Sequence, residues 1–139
     1  MSSIIHYEGE QHLLSILFAG TALPTNFYLG LDNRTTLTAT DTLASLVGEP
    51  TVNGYARQPV SSTAFTVIFT GSAYQANTPI VTFSASGGSW GPVNNLFMST
   101  TSDNSGKLIA SVTLNQPALT LINTQIMRIR MGLALRDCP

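Results

Sequence analysis

Past Pro24 the apolar residues of this chain fall at alternate positions, with Phe27, Leu29 and Leu31 on one side and Tyr28 and Gly30 on the other. That is the two-residue period of a half-buried strand. Repeated between clusters of Gly, Pro, Asn and Ser, it commits most of the chain to β structure. Further strands are predicted over 55–60, 64–70, 80–84, 93–99, 107–114 and 125–135. The last carries the pattern furthest: Met127, Ile129, Met131, Leu133 and Leu135 face one way, and Arg128 and Arg130 the other. One face then belongs to a core, and the opposite face meets water or a partner. A chain of 139 residues supports one core, so the expectation is a mainly β, jelly-roll-like β-sandwich spanning 1–139 as a single domain.

One segment departs from this period. Leu13, Leu14, Leu17 and Phe18 recur at helical spacing behind Glu8 and Glu10 and ahead of Gly20, which predicts one N-terminal α-helix over 8–19. Its apolar stripe is expected to cover the open face or end of a sheet; the alternative is that it grips another subunit. Residues 1–7 precede it as an N-terminal arm, in which Ile4 and Ile5 are apolar for a terminal segment. At 41–48, Asp41 is a candidate cap for one or two helical turns closed by Gly48 and Pro50. Residues 99–107 read as an exposed loop. The segment Gly87-Gly88-Ser89-Trp90-Gly91-Pro92 sets the sole Trp at a bend into a strand, as a core plug at a sandwich corner or as a ligand platform.

Charge is scarce. Six Lys plus Arg and seven Asp plus Glu make 9% of the chain, against about 25% in soluble domains. Nucleic-acid binding needs clustered cations that displace counterions; these are scattered, so nucleic acid is not an expected partner. A hydroxyl-rich, nearly neutral surface gives little repulsion between copies and suits a subunit buried against its neighbours. Cys138 is the single cysteine, so no intrachain disulfide or thiolate zinc cluster can form, and pairing between chains stays open. No segment reaches the roughly 18 apolar residues of a spanning helix, and no leader pattern opens the chain. No membrane association is expected, and synthesis and assembly in the cytoplasm are.

Patterns that carry chemistry are not met. His6, Glu8, Glu10 and His12 have alternate spacing, but along a strand they spread too far for one ion, and on a helix only Glu8 and His12 are neighbours. No metal is expected there. Both histidines lie far from any nucleophile elbow. Asp32, Asp41, Glu49, Asp103 and Asp137 sit in turn-like sequence where carboxylates are ordinarily solvated, and no phosphate-binding loop occurs. Neither catalysis nor a cofactor is expected. Arg57, on a strand opened by Tyr55, is read as a structural donor to loop carbonyls or a carboxylate, with contact to a neighbouring subunit as the alternative.

Taken in order, the helix segment from His12 to Thr21, Phe27-Tyr28-Leu29-Gly30-Leu31, Gly54-Tyr55-Ala56-Arg57-Gln58, Val81-Thr82-Phe83 and Gly88-Ser89-Trp90-Gly91 resemble a family of small tailed-bacteriophage virion structural proteins. Members are often labelled tail fibre or minor structural proteins. The resemblance covers nearly the whole chain and implies a virion component. It makes Tyr55, Ala56, Arg57, Gln58 and Trp90 framework positions and implies no catalytic residues. The segment Asn94-Asn95-Leu96-Phe97 and the 127–139 tail depart from its pattern. A fibre shaft would need repeats that this chain lacks. The expected function is therefore a capsid decoration or cement protein, stabilising the assembled shell by binding only that state. The expected assembly is a homo-oligomer, a trimer favoured, on the major capsid protein, with Ile4, Ile5, Arg128 and Arg130 as candidate contacts. Two alternatives stand beside it: a tail, baseplate or tail-fibre component, and a carbohydrate-binding module that stacks sugars on Trp90, Tyr74 or Tyr55.

Overall fold

The computed structural model describes residues 3–115 and 119–135. In chain order these form β1 (Ser3–Ile5), α1 (Tyr7–Phe18), β2 (Asn26–Asp32), a 3-10 turn (Leu43–Ser45), β3 (Gln58–Ser61), β4 (Thr66–Phe69), β5 (Tyr74–Asn77), β6 (Val81–Ser84), β7 (Asn95–Ser99), β8 (Leu108–Thr113), β9 (Ile126–Ile129) and β10 (Gly132–Ala134). The protein is mainly β with one α-helix, as the two-residue period requires. One layer is an antiparallel sheet in the order β1-β8-β7-β2-β3; the other comprises β10-β5-β4 and the β6-β9 pair. Inward residues of both layers meet in one core. Phe27, Leu29 and Leu31 of β2, Val60 of β3, and Leu96 and Met98 of β7 pack with Val81 and Phe83 of β6, Trp90 and Met131.

The five-stranded sheet is covered on its second face too. Phe97 and Leu108 pack there with Leu37, Leu43 and Leu46 from the loop after β2. That double cover explains why all five residues of β7 are buried, and why its sequence Asn-Leu-Phe-Met-Ser does not alternate. Gly30 lies directly opposite Phe97 in the β2-β7 register, and a Cβ at Gly30 would collide with the Phe97 ring. The strand therefore takes a glycine despite its poor strand propensity.

Helix α1 meets β8 at Gly9, its one buried residue, where any Cβ would strike the Ile109 backbone carbonyl. The Glu8 carboxylate accepts the Leu108 and Leu43 amides at 2.8 and 3.0 Å and pairs with Lys107 at 3.5 Å. Burial opposes its charge, yet these donors more than offset that and hold its carboxyl below the usual range. Glu8 thus ties the start of α1 to both β8 and the 3-10 turn. The helix ends at a left-handed Gly20 (φ +76°), after which the Thr21 amide turns back to the Ser15 carbonyl.

The structure departs from the sequence reading in several places. The apolar stripe of α1 does not cover the sheet: Leu13 reaches the core margin, but Leu14, Leu17 and Phe18 are exposed, Phe18 at 82%. Close approach through Gly9 turns the opposite side of the helix inward. Asp41 does not cap the turn at 43–45; Thr42 does, in a reciprocal pair with Ser45, while Asp41 accepts the Thr38 amide at 2.6 Å and Arg34 at 3.2 Å. Residues 125–135 are not one strand. The chain pairs with β6 through β9 and then with β5 through β10. At the break, Thr78-Pro79-Ile80 stands opposite Arg130-Met131, a bulge in which Thr78 bonds both the amide and the carbonyl of Met131. Pro79 has no amide to continue the ladder.

Candidate interaction surfaces

Of the framework positions, Arg57 and Trp90 are buried, and both Tyr55 and Arg57 bond to Glu49. Tyr55 precedes β3, and its hydroxyl accepts the Leu31 amide at 2.8 Å and donates to Glu49 at 2.6 Å. Burial, followed by the Glu49 charge, pushes the phenol well above its ordinary range. The Arg57 guanidinium forks onto the same Glu49, Nε to Oε2 at 2.8 Å and Nη2 to Oε1 at 2.9 Å. Its Nη1 donates to the carbonyls of Thr101 at 3.1 Å and Asp103 at 2.5 Å, Nη2 reaches the Asn104 side-chain oxygen, and the group lies 5.0 Å from the Phe97 ring centroid. Arg57 is therefore a donor to loop carbonyls and a carboxylate, and it shapes the 101–104 loop. Glu49, read from sequence as an ordinary solvated turn residue, is its partner. The two stand eight residues apart in sequence, a separation that matches neither helical nor strand neighbour spacing, and the irregular segment between them brings them together.

Trp90 is 1% exposed. Its indole donates to the Asn53 carbonyl at 3.1 Å, and the ring meets Tyr55 and Phe83 edge-on at centroid distances of 5.2 and 6.4 Å. It is a core plug at the bend. A sugar platform needs an open ring face, and of the three candidate rings only Tyr74, 68% exposed, offers one.

The candidate contact residues lie apart. Ile4 and Ile5 belong to β1, paired with Ser111 and Ala110 at the edge of the five-stranded sheet, and both are half-buried. Arg128, in β9 opposite Thr82, and Arg130, at the bulge, are exposed on the outer side of the second layer. Ala56 is exposed and Gln58 half-buried. Cys138 and Asp137 fall outside the described residues. Among the described residues no cluster of three or more His, Asp or Glu side chains is placed to hold a metal ion. Among the described residues no helix is long and apolar enough to cross a membrane.

His6 is fully buried behind β1, with Nε2 2.8 Å from the Ser111 hydroxyl. Burial lowers its basicity and that of His12. The folded protein therefore holds both imidazoles neutral at a pH where the unfolded chain, with ordinary values near about 6.5, has begun to protonate. Stability is full above that value and declines as pH falls from it toward the lower folded values. Thermal melts between pH 7.5 and 5.5 are expected to show a falling midpoint, and the double variant His6→Gln/His12→Gln a flatter dependence; equal slopes would refute the assignment.

Part of the exposed surface is apolar. Leu14, Leu17, Phe18 and Leu23 are exposed in and just after α1, Val67, Ile68, Phe69 and Tyr74 on β4 and β5, and Leu135 just past β10. Every residue of β4 is exposed, and from Gln58 to Ser102 no residue is charged. In sequence the run Val67-Ile68-Phe69 is indistinguishable from a buried strand. Monomeric proteins seldom leave contiguous apolar areas beyond a few hundred Å² unless another molecule covers them. No curated protein matches the chain. A family model described as Podophage GP4 fiber I protein gp80 matches residues 4–134. With nearly its whole length so matched, and a mainly β framework carrying uncovered apolar faces, the chain belongs to this family of phage fibre structural proteins.

Proposed function

We propose that the chain is a non-catalytic packing subunit of the phage fibre, held in the virion by the apolar faces its own fold leaves open. The observation that carries this reading is the set of exposed large apolar residues at the outer end of α1 and on β4-β5. Burying such surface against neighbours is favourable by about 25 cal/mol per Å² before the costs of association. The near absence of charge removes repulsion between copies. Stabilisation then follows from linkage: a subunit that binds only the assembled state shifts the equilibrium toward it. Capsid decoration uses the same physics on a different neighbour, and the lack of shaft repeats supports it. The family description favours the fibre.

Imaging intact particles by cryo-electron microscopy separates the two. Density of this fold in the fibres is the expected result. Regular occupancy over the icosahedral shell would overturn the fibre assignment in favour of decoration.

A further inference from the structure

We infer that β4 is a pairing edge for a second copy of this chain, the two β4 strands running antiparallel about a two-fold axis through Val67. The inference rests on the reading of the chain as a packing subunit and names its partner. Strand β4 is the outer strand of the order β10-β5-β4. The turn between β4 and β5 fixes which backbone groups remain free. The Thr70 amide bonds the Ala73 carbonyl at 2.9 Å, so by alternation Ile68 and Thr66 bond toward β5, opposite Gln75 and Asn77. The amides and carbonyls of Val67 and Phe69 then point away from the sheet. Natural edge strands are protected by Lys, Pro, a bulge or a covering segment; Thr66–Phe69 has no charge and no Pro, and lies exposed on both faces.

The sequence around this edge is close to symmetric. Pairing Val67 with Val67 of the second copy sets Phe65 of each opposite Phe69 of the other, and Thr66 opposite Ile68. Phe65 is half-buried at the core margin, meeting Phe27 edge-on at 5.8 Å between centroids. Phe69, 60% exposed, would lie beside it and extend the partner's core. Its cross-strand neighbour Tyr74, 5.2 Å away, would follow. Aromatic cross-strand pairs of this kind are stabilising.

On one face Val67, Phe69 and Tyr74 are 66%, 60% and 68% exposed, an apolar strip set by strand alternation, and Ile68 is exposed on the other face. The paired backbone edge adds to this toward the roughly 800 Å² per partner of a stable interface. An unrelated partner is ordinarily selected by complementary charge, and β4 and its flanks offer none. An edge with its own complement at the right register fits a second copy.

Sedimentation velocity of the purified chain from about 1 to 100 µM should show a concentration-dependent species of two chains. Val67→Lys should return it to one chain, with the thermal midpoint that the wild type shows at concentrations where it too is one chain, whereas Leu17→Lys on α1 should leave the two-chain species intact. If Val67→Lys fails to fold, Val67→Cys in a Cys138→Ser background provides the test. A hydrogen-bonded cross-strand pair holds its Cα atoms about 5.5 Å apart, within disulfide reach, so mild oxidation should trap a covalent dimer. A wild-type chain that stays monomeric, a species of three chains, or a dimer indifferent to Val67→Lys would each overturn the pairing. Particle imaging tests where the chain sits, independently of what pairs with β4, so the two failures are distinguishable.

Discussion

Replacing Arg57 with alanine is expected to cost about 3–5 kcal/mol, the penalty of removing one partner from a buried ion pair, which is a large share of the about 5–15 kcal/mol that holds a domain together. The side chain of Arg57 is 2% exposed and that of Glu49 19%. Its loss would strand the Glu49 carboxylate beside the Tyr55 hydroxyl and leave the carbonyls of Thr101 and Asp103 without their donor. Arg57→Lys should recover little, because one ammonium cannot fork onto both Glu49 oxygens while also reaching the 101–104 loop. Urea denaturation followed by tryptophan fluorescence measures the loss, and amide exchange at 101–106 reports release of the loop. A loss under about 1 kcal/mol, with exchange unchanged, would show the pair to be no more than a surface contact.

The parts of this fold that were legible in the sequence are those set by local period. The alternation Phe27-Leu29-Leu31 reappears as β2, and the helical spacing of residues 8–19 as α1 at 7–18. The alternation of Met127 to Leu133 survives even though the chain changes partner at Thr78, since the bulge keeps Met131 buried against the core. What escaped was set by tertiary contact. Tyr74–Asn77 has no alternation strong enough to mark a strand, and pairing on both sides makes it one. The orientation of α1 depends on Gly9 approaching Ile109, which no apolar count along the helix encodes. The largest gap is the surface. Val67-Ile68-Phe69 has the composition of a core strand, and only the three-dimensional structure reveals that nothing in the described residues covers it.

Trp90→Ala is expected to destabilise the protein by about 3–5 kcal/mol, the range for deleting a large buried aromatic whose cavity the surroundings fill only in part. The ring meets edge-on both Tyr55 and Phe83, which stack on each other at 6.1 Å, and both are held from behind: Tyr55 by Glu49 and Leu31, Phe83 by the β6-β9 ladder. Neither is free to collapse inward. The indole also fastens one loop to another. Asn53, in the left-handed region at φ 57°, receives the Trp90 Nε1 and Ser86 amide protons on its carbonyl, and its side chain donates to the Ser89 carbonyl at 2.6 Å. Trp90→Phe should separate the two contributions, retaining most of the packing and losing the Nε1 bond, for a smaller deficit of about 1–3 kcal/mol. Both variants can be ranked by chemical denaturation monitored by far-UV circular dichroism, which does not depend on the deleted fluorophore. The order Ala well below Phe identifies Trp90 as the plug that closes this end of the sandwich. Equal and small losses would instead place the ring at the surface, where stacking on a ligand would again be its reason for being there.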